Sequence, residues 1–185
     1  MKTVVNGTNG REALSKRWVA VVVKMYSEKK VSEALTAMKI ENYLPVQEEI
    51  RQWSDRRKKI ERVVIPTILF VKTDKETEKR LRMLSFILRV ISYPGRYEAA
   101  IIPEEQISRL RFMIERAADS VGMANAALKV GERVRVLRGP MAGFEGVLCY
   151  NNAGDPHIAI HIEALGYASV RIAREDVEKV VMQGE

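Results

Sequence analysis

The most informative stretch of the chain is Lys129–Leu148, which reads KVGERVRVLRGPMAGFEGVL. Val134 and Val136 alternate with arginines, which is typical of a half-buried strand, and a second alternating run begins at position 144. Between the two runs, glycine and proline permit a tight turn and the close approach of another backbone. The turn residues are Gly139, Pro140, Gly143, Phe144 and Gly146. The stretch therefore predicts a β-hairpin.

Further alternating runs follow this hairpin along the chain. In Ile158–Ile162 three isoleucines alternate with Ala159 and His161, and Val170 and Ile172 flank an arginine. β-Branched residues in this pattern favour strands. Residues 129–183 are therefore expected to form a small all-β barrel.

The residues before the hairpin mix strand and helix patterns. The predicted strands cover 18–24, 43–53, 60–65, 67–71 and 88–93, and the predicted helices cover 28–40, 75–85 and the residues from Pro103 onward. Ser27 and Asp74 are placed to cap the first two helices. This order predicts an α+β fold, in which an antiparallel-rich sheet is flanked by helices.

Composition shifts divide the chain into four parts. We expect a flexible N-terminal tail over 1–16, a first domain over 17–116, a linker over 117–128 and the all-β domain over 129–183. The linker is assigned because its side chains are small and show no strong period.

Length, charge and cysteine content limit the class of protein. The 185 residues carry a net charge of +7, and no apolar run reaches the roughly 18 residues that a membrane span needs. The single cysteine, Cys149, cannot form an internal disulfide, which agrees with a reducing compartment. We therefore expect a cytoplasmic protein with no membrane partner.

Basic side chains cluster in two places, near residue 57 and near residue 80. They are either solvated surface or contacts to phosphate groups. The candidates for facing nucleic acid are Arg51, Arg56, Arg57, Lys58, Lys59, Lys79, Arg80 and Arg82.

The sequence patterns do not support an enzymatic function. The two histidines, His157 and His161, lie four residues apart on a predicted strand, so their Cα atoms are roughly 13 Å apart, too far for an ordinary single-metal site. The glycines of the hairpin lack the Gly-Lys-Ser/Thr ending of a nucleotide-binding loop. No catalytic residue, metal or cofactor is therefore predicted.

Several segments resemble the N-terminal domain of NusG-type transcription elongation factors, and Lys129–Leu148 resembles the KOW motif of small SH3-like barrels. The matching segments are Trp18–Lys24, Glu28–Val31, Tyr43–Pro45, Pro66 with Phe70 and Val71, and Ile102–Pro103. The segment Ile50–Lys59 is similar to the specialised UpxY branch of Bacteroidales, which is associated with transcription of capsular polysaccharide operons. Where many relatives carry Pro-Gly-Tyr, this chain has Pro66-Thr67-Ile68.

The resemblance implies a monomer that docks on the clamp helices of RNA polymerase and suppresses pausing or premature termination. By alignment, the apolar docking residues are Val22, Ile65, Ile68, Phe70, Tyr93, Ile107 and Leu110. Further implied partners are upstream DNA or nascent RNA and, through the KOW domain, a ribosomal protein or the termination factor Rho. Two alternatives stay open: a general housekeeping NusG, or a ribosome-associated RNA-binding protein that acts through its KOW barrel.

Overall fold

The structure is a computed structural model that describes residues 16–52, 57–124 and 129–180. Its helices are α1 (Glu28–Ala37), α2 (Lys75–Met83) and α3 (Glu104–Arg116). The strands before α3 are β1 (Arg17–Val23), β2 (Asn42–Tyr43), β3 (Val46–Gln52), β4 (Arg57–Val63), β5 (Ile68–Thr73) and β6 (Ile87–Val90). Those after it are β7 (Gly122–Met123), β8 (Lys129–Val136), β9 (Glu145–Tyr150), β10 (Pro156–Ile162), β11 (Gly166–Arg171) and β12 (Val177–Lys179).

The chain forms two compact units that cross the predicted domain boundary. The first contains the described residues up to Leu44 together with Thr67–Pro103, and the second contains Pro45–Pro66 and the described residues from Glu104 onward. The β3–β4 hairpin and α3 therefore group with the C-terminal strands, whereas the predicted boundaries place them in the first domain. No helix in the described ranges is both long and apolar enough to cross a bilayer.

The first unit is an antiparallel sheet in the order β2-β5-β1-β6 with two helices. Alternate residues of β1 and β5 belong to one core cluster with apolar side chains of α1 and α2. That cluster includes Val19, Val21, Val23, Val31, Leu35, Leu69, Val71 and Leu81. The mixed α+β class is thus confirmed for the part of the chain that the structure describes.

The second unit contains the β3–β4 hairpin, α3 and a six-stranded antiparallel sheet in the order β12-β8-β9-β10-β11-β7, called here the C-terminal sheet. The predicted hairpin at 129–148 is present as β8 paired with β9. The predicted alternating runs at 158–162 and 170–172 fall on β10 and at the end of β11, which pair with each other. Ile158, Ile160 and Ile162 are all buried, because alternate residues of β10 share one face.

Of the two side chains predicted to cap helix N-termini, one makes the capping hydrogen bond and the other does not. The Asp74 carboxylate accepts a hydrogen bond of 2.7 Å from the backbone N–H of Thr77, so this cap is confirmed. Ser27 precedes α1 as predicted, but its side chain makes no capping bond. The predicted capping role of Ser27 is therefore wrong, and α1 depends on its buried Val31 and Leu35 instead.

Other predicted boundaries shift by a few residues. Helix α1 ends at Ala37 and α2 at Met83, both earlier than predicted. Strand β6 ends at Val90, so Tyr93 lies in the loop that follows it. Strand β4 begins at Arg57, three residues before the strand predicted from residue 60.

The first half of the predicted linker is held by the β3–β4 hairpin. The Gln47 side chain accepts a hydrogen bond of 2.9 Å from the Val121 N–H and donates one of 3.0 Å to the Asp119 carbonyl. Arg62 donates to the Val121 carbonyl at 2.7 Å, and β7 then pairs with β11. Residues 119–123 are therefore part of the second unit, while 125–128 lie outside the described residues.

Candidate partner-binding surfaces

The β1–β5 pair of the first unit is apolar on both faces. Ile68, Leu69, Phe70 and Val71 are all buried, and only Leu69 and Val71 belong to the core cluster with α1 and α2. On the opposite face, Val22 pairs with Ile68 and Ala20 pairs with Phe70 across the strands. The Tyr43 ring stacks on Phe70 with ring centres 6.0 Å apart. Alternate residues of β5 therefore give this strand two apolar faces.

The seven residues aligned to the polymerase-docking surface differ in exposure. Val22 and Tyr93 are half-buried, whereas Ile65, Ile68, Phe70, Ile107 and Leu110 are buried. Val22, Ile68, Phe70 and Tyr93 lie in the first unit, while Ile65, Ile107 and Leu110 lie in the second. Of the seven, Val22 and Tyr93 present the most surface to a partner.

The basic residues predicted to face nucleic acid also differ in exposure and in ion pairing. Lys79 and Arg80 on α2 are exposed, and neither makes an ion pair with another described residue. Arg82 is half-buried and is held by Glu78 at 2.9 Å, while Lys59 is exposed and forms an ion pair with Glu48 across the β3–β4 hairpin. The side chains of Arg51, Arg57 and Lys58, and the whole of Arg56, lie outside the described part of the structure.

Some exposed aromatic and apolar side chains of the first unit were not singled out from the sequence. Tyr97 is 83% exposed, and the Arg82 guanidinium lies 4.8 Å from the centre of its ring. Met83 and Leu88 are 85% and 64% exposed. Tyr97 follows a Pro-Gly turn, where no periodic pattern indicates whether a side chain is buried or exposed.

The glycines of the β8–β9 turn have different structural roles. Gly139 and Gly143 both adopt φ of +83°, a region that favours glycine, and the Gly143 N–H donates to the Val136 carbonyl at 2.8 Å. Gly146 lies against β10, where an added Cβ would stand 2.8 Å from the Ala159 carbonyl oxygen. The predicted turn and close approach are thus both present.

Phe144 joins this turn to α3 within the second unit. Its ring stacks on Phe112 with ring centres 5.4 Å apart and an angle of 4° between the planes. Arg109 of α3 donates to the backbone carbonyl of Glu145. Gln106 also accepts a hydrogen bond of 2.7 Å from the Glu163 N–H. Phe144 is therefore a packing residue as well as a member of the turn.

The side chains most able to support metal or thiol chemistry are not arranged for it. Among the described residues, no group of three or more histidine, cysteine, aspartate or glutamate side chains could hold a metal ion. Cys149 is fully buried on β9, and burial raises the pKa of its thiol. Its position fits a small buried apolar side chain, since a protonated thiol is a poor nucleophile.

Comparison with known proteins gives matches of different kinds. A family model described as transcription termination factor nusG matches residues 16–111. A solved structure titled "Domain interaction in Thermotoga maritima NusG" is 18% identical, with 91% of this chain and 99% of that chain covered and a TM-score of 0.47. A structure of the MjSpt4:Spt5 complex in conformation A is 14% identical, with coverages of 88% and 97% and a TM-score of 0.26. No curated protein matches this chain.

The assignment to a protein family rests on the family model, because the two solved structures are too dissimilar to this chain to support it. Its match extends over more than half of the chain and includes β1, α1, β5, α2 and β6 of the first unit. The segments that resembled this family in the sequence therefore fall inside the matched region. This chain belongs to the NusG family of transcription elongation factors.

Proposed function

We propose that the chain binds RNA polymerase during elongation through an apolar surface of its N-terminal part, and suppresses pausing or premature termination. The observation that carries this proposal is the second apolar face of the β1–β5 pair. One face packs with α1 and α2, and the other carries Ala20, Val22, Ile68 and Phe70. Exposed apolar surface is typical of a protein-binding site, and Val22 is the part of this face that remains half-exposed.

The accessible edge of this surface is where a partner makes its first contact. Val22 and Tyr93 are half-buried and belong to the first unit, so helices of the polymerase clamp can reach them without a change in the fold. Phe70, Ile107 and Leu110 have no exposed surface, so they can join the contact only if their side chains become accessible.

Helix α2 supplies the proposed contact to upstream DNA or nascent RNA. Lys79 and Arg80 are exposed, and a positive side chain near a phosphate gains affinity by releasing counterions. Tyr97, beside Arg82, adds an aromatic surface on which an unpaired base can stack. Binding through these groups depends on salt and only weakly on sequence.

The finer assignment rests on sequence resemblance. Residues 50–59 are similar to the UpxY branch, and we propose a capsular or exopolysaccharide operon as the target. We take the C-terminal sheet to be the KOW barrel, which recruits a second protein, and we propose a cytoplasmic monomer. Transcript profiling after deletion separates this role from that of a general NusG, because a specialised factor changes one operon and a general factor changes many.

A binding experiment tests the polymerase contact. We expect Tyr93→Ala to weaken binding of the full chain to purified RNA polymerase by about tenfold, as truncation of a contacting aromatic costs roughly 1–2 kcal/mol. Tyr26→Ala is the matched control, because Tyr26 is 92% exposed and lies outside the proposed surface. Equal affinity of the Tyr93 and Tyr26 variants, with both folded by circular dichroism, would remove Tyr93 from the surface.

A further inference from the structure

A cavity in the second unit is lined by arginine side chains from four separate places in the sequence. Its volume is about 510 Å³, and the arginines are Arg116 of α3, Arg138 after β8, Arg171 of β11 and Arg174 of the short 3-10 helix. The side chains of Arg138 and Arg171 are 68% and 67% exposed. These two guanidinium groups are therefore open to a partner.

Acidic side chains of the chain neutralise these arginines only in part. Arg138 lies 3.2 Å from Asp176, and Arg171 is 3.7 Å from Asp155, which is long for a strong ion pair. Arg174 donates to the Val177 carbonyl at 3.3 Å, and Arg116 lies 5.8 Å from the Phe112 ring centre. Neither Arg174 nor Arg116 has an ion-pair carboxylate within the described part of the chain.

The rest of the lining includes the acidic residues Asp119 and Glu175, so that four arginines exceed three acidic lining residues by one, and it also includes apolar surface. Pro140 is exposed, and Pro156 and Ile172 are half-buried. None of the described residues that line the cavity is aromatic. A single-stranded nucleic acid gains much of its affinity from bases that stack on aromatic rings, and this cavity offers no such ring. Guanidinium groups beside aliphatic surface instead match a carboxylate next to an aliphatic side chain.

We propose that this cavity binds an acidic segment of a partner protein, in which aspartate or glutamate residues flank an aliphatic side chain. The carboxylates face Arg171, Arg174 and Arg116, and the aliphatic side chain lies against Ile172 and the prolines. The inference rests on the proposed recruiting role of the C-terminal sheet and supplies the chemistry of its partner. It does not depend on the polymerase contact, which involves Val22 and Tyr93 of the first unit.

The test uses the full chain and three fluorescent probes in an anisotropy titration: a short peptide of glutamate and leucine, a polyglutamate peptide of the same length, and an oligouridylate. We expect the glutamate–leucine peptide to bind most tightly. Arg171→Glu and Arg174→Glu should each weaken that binding by about tenfold, because each places a like charge against the probe. Arg171→Gln, which avoids new repulsion with Asp155, should weaken it less but measurably.

Lys24→Glu is the charge-matched control, since Lys24 is exposed and lies in the first unit. It should leave the peptide affinity unchanged, and the Arg171 and Arg174 variants should keep their affinity for RNA polymerase. Tighter binding of the oligouridylate, lost in the same arginine variants, would identify a nucleic-acid site and overturn the proposal. Peptide binding that is absent, or that is the same in all folded variants, would also overturn it.

Discussion

Among single residues, Thr67 is held in a backbone conformation that is unfavourable for its side chain. Its φ is +66°, a conformation that a β-branched residue rarely adopts. Two hydrogen bonds hold it there: its N–H donates to the buried Glu28 carboxylate at 2.9 Å, and its carbonyl accepts from the Val23 N–H at 2.8 Å. A glycine here, as in the Pro-Gly-Tyr pattern that the family resemblance implies, would avoid this steric cost.

We expect Thr67→Gly to stabilise the protein. Removing Cβ relieves roughly 1–2 kcal/mol of strain in the left-handed backbone conformation. Glycine also makes the unfolded chain more flexible, which reduces the gain in stability by about 0.5–1 kcal/mol. The free energy of unfolding, measured by urea titration, should therefore rise by up to about 1.5 kcal/mol. Thr67→Ala keeps Cβ and serves as the control, with no comparable gain. A glycine variant less stable than the parent would show that the left-handed backbone is not strained.

We expect Gly146→Ala to destabilise the C-terminal sheet. An added Cβ would stand 2.6 Å from Ile158 Cγ1 and 2.8 Å from the Ala159 carbonyl oxygen, and the backbone oxygen cannot rotate away. The expected loss is about 1–3 kcal/mol in urea unfolding, as for other overpacked sites. Gly122→Ala is the control, because a Cβ added there would meet no other atom within 4 Å. Equal stability of the two variants would mean that β9 and β10 separate easily at this point.

Among the helices, α2 depends most visibly on one capping side chain. Hydrogen bonding from the Thr77 backbone N–H lowers the pKa of the Asp74 carboxyl below its usual value. A carboxyl whose pKa is depressed by folding adds stability above its unfolded pKa, and that stability is lost as the pH falls through the folded value. The cap therefore stabilises α2 at neutral pH and weakens in acid.

We expect Asp74→Ala to lower the free energy of unfolding at pH 7 by about 1 kcal/mol, the usual cost of a lost N-cap. The difference from the parent should shrink as the pH falls below the unfolded pKa of aspartate. Asp74→Asn keeps an oxygen acceptor without the charge, so it should retain most of the stability and lose this part of the pH dependence. A stability difference between the alanine variant and the parent that stays constant in acid would contradict the capping role.

Helices and strands were predicted well where a local pattern specifies them. The alternation in β10, the apolar stripe of α1 and the Asp74 cap each depend on neighbours in the sequence. The missed features depend on distant partners: Gln47 holds the segment around Val121 from 74 positions away. The arginine cavity likewise gathers side chains from α3, β11 and two connecting segments, so no sequence window contains its pattern.

For the chain as a whole, the division into units follows contacts that composition does not reveal. Within the second unit, α3 is tied to the C-terminal sheet by the Phe112–Phe144 stack and by the Gln106 hydrogen bond to Glu163. A run of small residues predicted a linker over 117–128. Its first half is instead hydrogen-bonded to the β3–β4 hairpin, because Gln47 and Arg62 satisfy its backbone groups.

The candidate polymerase surface was only partly predictable for a related reason. Alternation shows that Ile68 and Phe70 share a face, but it does not show whether that face is open or covered. The structure leaves Val22 and Tyr93 partly accessible and buries Phe70 completely. A charge at Phe70 would therefore test folding rather than binding, because an unpaired buried charge costs several kcal/mol. Substitution of Tyr93 is the cleaner probe.

The most direct test of the proposed role is the lifetime of RNA polymerase pauses, measured in single-round transcription on a template from a capsular polysaccharide operon. We expect the full chain to shorten the pauses and to increase read-through at the terminators. The Tyr93→Ala chain should need about tenfold more protein for the same effect, and Tyr26→Ala should act like the parent. Pause lifetimes that stay unchanged while the chain is bound to the polymerase would contradict the proposed function.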